Sequence, residues 1–150
     1  PNIVIATGVK HASRGISLER CATNRVDSRR PDAQNTTPES GPISEQGPAA
    51  FWTRLPLRAI LRAFAQDDIP ATLSSDAGTY VCNSLFYELL NWTVAQDRVL
   101  SGFVSLPIVA DSQDEHHGLT IPQQVRAGRH VVVEALRYYC RPSSDDILLV

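Results

Sequence analysis

Methionine is absent from this chain of 150 residues, and its three cysteines stand far apart, at positions 21, 82 and 140. That spacing is neither a disulfide framework nor a C-x-x-C pair, and it fits a reducing, cytosolic compartment. No apolar run approaches the roughly 18 residues of a membrane-spanning helix, and no basic segment leads into an apolar one as in a signal peptide. Without such a signal, the two sequons at Asn35 and Asn91 read as chance matches. Charge of one sign is not in excess either. Fourteen basic and sixteen acidic side chains leave a formal net charge of −2, which gives no reason to expect nucleic acid or an anionic membrane as partner. The signatures GxxxxGKS/T, GxGxxG and GxSxG are missing, so phosphate-cradling and serine-esterase readings lack support. Pro1 is followed at once by a strand-like run, Ile3-Val4-Ile5-Ala6. With no initiating methionine, this start reads as that of a fragment or of a chain with upstream residues removed.

What is present is an ordinary globular composition, 43% hydrophobic and 20% charged, enough for one sizeable core in a single domain over residues 1–150. Residues 2–7 read as a buried strand closed by Gly8, and residues 16–23 as a short extended piece. Residues 24–47 are polar, carry Pro31, Pro38 and Pro42, and form either a loop over a site or interface or a solvated excursion. Pro56 can open a helix whose apolar face is Leu57, Ile60, Leu61 and Phe64, ending near Asp67-Asp68 before Pro70. Residues 71–74 are a second strand. A helix around Cys82 should run to about Gln96, with Tyr80, Val81, Leu85, Leu89, Leu90 and Trp92 as its apolar positions. Residues 99–106 make a third strand ended by Pro107, and residues 110–118 a polar loop. Thr120 and Gln123 form a capping box for a last helix striped by Val125, Val132, Val133, Leu136 and Tyr139. The tail from Ser143 ends apolar, as a last strand or an exposed end. Strands alternating with helices predict an α/β fold with a mainly parallel sheet and helices on both faces.

Chemistry concentrates in residues 74–89. A strand end, a small-residue turn (Asp76-Ala77-Gly78-Thr79) and a helix start place Cys82 as a nucleophile is often placed. The positive end of the helix dipole favours thiolate over thiol there. The plainer alternative is a buried structural cysteine. Hydrolysis through Cys82 needs a base and a group that orients the base. His11, His116, His117 and His130 are the candidate bases, and Glu19 and Asp76 the candidate orienters; spacing selects none of them. His116 and His117 with Asp114 and Glu115 have the composition of a metal patch. Adjacent residues seldom point at one centre, so a solvated loop is the better reading. Cys21 and Cys140 receive no role.

Four segments together resemble the pyrrolidone-carboxylate peptidases, or pyroglutamyl peptidase I. SSDAGTYVCNSLFYELL (residues 74–90) is similar to the family's nucleophile region, with its AGT turn and VCN tripeptide. ISLERCATN (residues 16–24) is similar to the segment ITPERVAIN around the family's glutamate. GPAAFWTRLP from Gly47 is similar to GPAAYFSTLP, and SGFVSLP (residues 101–107) to AGFIHVP. The resemblance runs from Pro1 to about Tyr139. It implies an α/β/α sandwich and a cytoplasmic cysteine peptidase, often homo-oligomeric, that needs no metal or cofactor. Such an enzyme removes N-terminal pyroglutamate from peptides. Cys82 would be the nucleophile and Glu19, 63 residues earlier, the orienter of a catalytic histidine.

Two departures stand beside the resemblance. Ser105 occupies the place of that histidine, and serine has no useful basicity near neutral pH. Loss of one member of a cooperating triad costs several orders of magnitude in rate. Activity is therefore expected to be low unless His116 or His117 substitutes, and an inactive homologue serving as a binding or structural subunit is the alternative. The family's first strand and its GFxPFG loop also have no counterpart, and the GQAGGR-like turn is altered to Gly8-Val9-Lys10-His11-Ala12-Ser13.

Overall fold

The computed structural model describes residues 1–110 and 118–148. Its centre is a four-stranded sheet in the order β1-β6-β2-β5, built from β1 (Ile3–Val9), β6 (Leu100–Leu106), β2 (Ile16–Glu19) and β5 (Ala71–Ser74). β1 runs parallel to β6 and β2 parallel to β5, while β6 and β2 are antiparallel, so the sheet is mixed with parallel pairs at both flanks. β3 (Cys21–Thr23) and β4 (Ala50–Trp52) form a separate antiparallel ribbon. The long polar segment before β4 closes on itself through one bridge, Val26 to Gly41.

Two expectations are corrected within the sheet. β1 does not close at Gly8 but continues to Val9, because Gly8 holds its register against Ser105 of β6. The extended piece at residues 16–23 is two strands, and β2 is an inner strand with all four residues buried. A strand covered on both faces loses the alternation that reveals a half-buried one.

Helices cover both faces. α1 (Leu57–Gln66) and α3 (Ile121–Cys140) pack on one side around Ile16, Leu18, Ile60, Phe64 and Val104. α2 (Val81–Val94) packs on the other with Ala22, Phe86, Tyr87, Leu90 and Phe103. α1 buries Leu57, Ile60 and Phe64 as its spacing predicts. α3 begins at the expected capping box: Gln123 N donates to Thr120 Oγ1, and Thr120 N donates to Gln123 Oε1. The apolar stripes of α2 and α3 are another correction. Of the positions expected, Leu90 is buried, but Val81, Leu85 and Trp92 are exposed, and α2 otherwise buries Asn83, Phe86, Tyr87 and Thr93. Val125, Val132 and Leu136 are likewise exposed, and the inner face of α3 is Ala127, Val131 and Ala135. In α2 the buried polar groups are paired. Asn83 Oδ1 accepts from Thr23 N at 2.9 Å, its amide donates to the Thr23 and Arg25 carbonyls, and Thr93 Oγ1 donates to Leu89 O. A hydropathy pattern reads such residues as outward, whereas their hydrogen bonds let them lie inward. In α3 two of the three buried residues, Ala127 and Ala135, are small.

The tail is one 3-10 turn at Ser144–Asp146, after which Leu148 packs against the α1/α3 core. No helix among the described residues is long and apolar enough to cross a membrane.

Candidate active site

β5 ends at Ser74 and α2 begins at Val81, so Cys82 is the second residue of its helix. The turn between them is braced from inside. Gly78 takes a left-handed φ of 82°, a conformation open to glycine at little cost. Its N–H donates to Asp76 Oδ1 at 2.8 Å. The Asp76 carboxylate is thus engaged in shaping the turn rather than in orienting a base. The long polar segment reaches the same turn: Thr79 Oγ1 donates to Asp27 O at 2.7 Å, and Asp27 N donates back to Thr79 O at 2.8 Å. Hydrogen bonds from Arg25 and Ser40 hold the Asp27 carboxyl below its usual range.

Cys82 is half-buried, and its sulfur lies over β1. A Cβ placed on Gly8 would stand 2.8 Å from Cys82 Sγ and 3.0 Å from the Phe103 ring. Glycine is required at this strand position by close approach. The residue in register with Gly8 on the next strand is Ser105. Ser105 Oγ, itself buried, donates to Glu19 Oε1 at 2.7 Å. Glu19 is wholly buried at the end of β2. Cys82, Ser105 and Glu19 are thereby gathered on the α2 side of the sheet from three segments remote in sequence.

A buried carboxylate needs a counter-charge and hydrogen-bond donors. Lys10, just past the end of β1, supplies both, with its Nζ 3.2 Å from Glu19 Oε1. The same ammonium donates to Ser74 Oγ at 3.1 Å and to Asp76 O at 2.7 Å. Glu19 Oε2 is buried with no hydrogen-bond partner among the described residues. Sequence reading did not single out Lys10. The available signal was its place two residues after Gly8, on the side of the strand that Cys82 overlies.

The candidate bases are not brought to this cluster among the described residues. His11 is exposed, and His130 pairs with Asp67 at 2.9 Å on the far, α1/α3 face of the sheet. His116 and His117, with Asp114 and Glu115, lie outside the described residues. Cys21 is buried, and burial pushes its thiol up despite the opposing Arg20 charge. Its Sγ lies 3.7 Å from Ser75 O, while Cys140 is exposed at the end of α3. No group of three metal-ligating side chains converges among the described residues.

A sequence profile described as pyroglutamyl peptidase matches residues 1–138. The chain belongs to the pyroglutamyl peptidase family. Among relatives, the pyrrolidone-carboxylate peptidase of Bacillus cytotoxicus is 38% identical over 117 residues, covering 77% of this chain and 54% of the relative. One from Bacillus cereus is 35% identical over 137 residues, covering 89% and 64%. The chain therefore spans little more than half the length of the curated relatives it matches. Solved structures agree on the fold. Pyroglutamyl peptidase I from Bacillus amyloliquefaciens superposes with a TM-score of 0.87 at 30% identity, over 100% of this chain and 70% of that one. The pyrrolidone carboxyl peptidase of Thermococcus litoralis gives 0.88 at 28%, over 100% and 72%. The pyroglutamyl peptidase fold thus holds Cys82, Glu19 and Ser105 together here without a described histidine between them.

Proposed function

We propose that this chain binds peptides bearing N-terminal pyroglutamate and cleaves them through Cys82, at a rate held far below that of ordinary enzymes because Ser105 stands where the base is expected. In this reading Cys82 Sγ adds to the pyroglutamyl carbonyl carbon, and the bond to the next residue's nitrogen breaks. The proton lost from the Cys82 thiol passes to the leaving amine, and water then hydrolyses the thioester to release pyroglutamate and restore the thiol. Glu19 is the group placed to orient an imidazole. The observation that carries the proposal is the buried bond from Ser105 Oγ to Glu19 Oε1 at 2.7 Å. It commits the hydroxyl proton to Glu19, next to the strand over which Cys82 lies.

The test is release of chromophore from a pyroglutamyl anilide by the native chain and by Ser105→His. General-base assistance contributes on the order of 10²–10⁴ in rate, so the substituted chain should be at least about 100-fold faster. Native turnover at the roughly 1–10³ s⁻¹ of ordinary enzymes would refute the lost-base account. The same Ser105–Glu19 bond favours a second reading, an inactive homologue acting as a binding or structural subunit. A native chain that binds a pyroglutamyl peptide without ever releasing product decides for it.

A cytosolic setting and self-association belong to the same proposal. Three free cysteines support the first, and the apolar surface left by Val81, Leu85 and Trp92 on α2 supports the second. Light scattering that finds a monomer at micromolar concentration would remove the self-association.

A further inference from the structure

Lys10 lies in the altered turn after β1 and enters the site beside Ser105 and Glu19. Its ammonium has three N–H bonds and meets three acceptors: Glu19 Oε1, Ser74 Oγ and Asp76 O. An ammonium so engaged has no lone pair to offer, so it is not a replacement base. Its backbone is fixed as well, since Lys10 N donates to Leu106 O at 2.8 Å. The acceptors belong to three places that must keep their relative positions. Glu19 closes β2, Ser74 closes β5, and Asp76 opens the turn that leads to Cys82. Lys10 itself sits two residues beyond Gly8, over which the Cys82 sulfur lies.

We propose that Lys10 is a positioning residue: its ammonium is the counter-charge of buried Glu19 and fastens that carboxylate to the turn presenting Cys82. A neutral side chain at position 10 leaves Glu19 buried without its cation and the turn without its tie to β1. Glu19 is fully buried while the Lys10 side chain is 35% exposed, so the damage falls on the carboxylate, and stripping a buried charge of its partner is more harmful than removing both. The inference deepens the catalytic reading and rests on it for the statement about turnover, while the pairing and the tie stand on geometry alone.

Four variants of the full chain test it: Lys10→Met, Lys10→Arg, Glu19→Gln and the double variant Lys10→Met with Glu19→Gln. Lys10→Met should lower the melting temperature by several degrees, and the double variant should recover more than half of that loss. Hydrogen exchange in the peptide covering residues 75–81 should quicken at least tenfold in Lys10→Met, with residues 57–66 unchanged and Lys10→Arg intermediate. On a Ser105→His background, adding Lys10→Met should lower kcat tenfold or more while KM for the anilide changes less than twofold, with partial rescue by Lys10→Arg. A double variant no more stable than Lys10→Met overturns the counter-charge, and unchanged exchange at residues 75–81 overturns the tie. Unchanged kcat in an active Ser105→His chain overturns the positioning role. If Ser105→His is itself inert, the catalytic reading fails, and the thermal cycle and the exchange still decide Lys10.

Discussion

Gly8→Ala adds a single methyl and examines the placement of Cys82 directly. Gly8 sits within β1, in ordinary strand backbone, so alanine introduces no backbone strain there. The whole effect comes from contact. The new Cβ would lie 2.8 Å from Cys82 Sγ and 3.0 Å from Phe103 Cζ, where ordinary contact begins at 3.4 Å. The sulfur must retreat by more than half an ångström, and the ring beside it is held against Phe86 at 5.7 Å between centroids. Overpacking of this kind costs about 1–3 kcal/mol. Replacing glycine stabilises by about 0.4–1 kcal/mol through the unfolded chain. The net loss is then roughly 0–2.6 kcal/mol, about 1.3 kcal/mol at the middle of the range, and at about 2–4 °C per kcal/mol for a chain of this size that midpoint lowers the melting temperature by about 3–5 °C. Gly41→Ala is the matched control, since nothing lies within 4 Å of its Cβ position. The assay is calorimetry of the three proteins, with peptide mass mapping to follow iodoacetamide modification of Cys82 separately from the exposed Cys140. Gly8→Ala should melt below both others and alter the Cys82 rate at least threefold. If Gly8→Ala matches Gly41→Ala in both measurements, the sulfur does not rest on β1, and the site built around that contact is wrong.

Two further perturbations probe the frame of the site. Asn83→Ala removes the acceptor of Thr23 N and the donor to the Thr23 and Arg25 carbonyls. Each buried group left unpaired costs about 1–3 kcal/mol, so urea unfolding should show a loss of several kcal/mol, and a loss under about 1 kcal/mol would contradict the burial of those groups. Asp67 is held below its ordinary value chiefly by the hydrogen bond with His130 and secondarily by the Arg126 charge, against an opposing desolvation. A carboxyl whose folded value is depressed contributes stability above its unfolded value and loses it as pH falls through the folded one. Wild type should therefore exceed Asp67→Asn in melting temperature near pH 5, and the gap should close as pH drops below about 3.8. A gap that stays constant down to pH 2 would show that the pair contributes nothing through ionisation.

Legibility in the sequence followed covalent neighbourhood. The strands expected at residues 2–7, 71–74 and 99–106, which the structure places at 3–9, 71–74 and 100–106, the face of α1 and the Thr120 capping box all depend on residues within a turn or two of one another, and the spacing carried their existence and type. The presentation of Cys82 by a strand, turn and helix is of the same kind. What spacing did not carry is where a polar residue goes when its partner is distant in the chain. Asn83 and Thr93 turn α2 inward because Thr23, Arg25 and Ser101 complete their hydrogen bonds, and that rotation leaves Val81, Leu85 and Trp92 outside. The reading of β2 as a loose extended piece had the same cause. Its Glu19 reads from the residues alone as one of two candidate orienters, and its burial shows only when Lys10 and Ser105 arrive from two other segments. Gly8 reads as the end of a strand until the sulfur of Cys82 is seen to occupy its side-chain space. Each of these residues breaks a local rule; Gly8 and Asn83 adjoin Cys82 in space or in sequence, and Glu19 bonds Ser105, the residue in register with Gly8. Local rules are most often broken where a fold holds chemistry. The concentration of these misfits around one half-buried thiol is therefore itself an argument that Cys82, rather than Cys21 or Cys140, is the cysteine this fold is arranged to present.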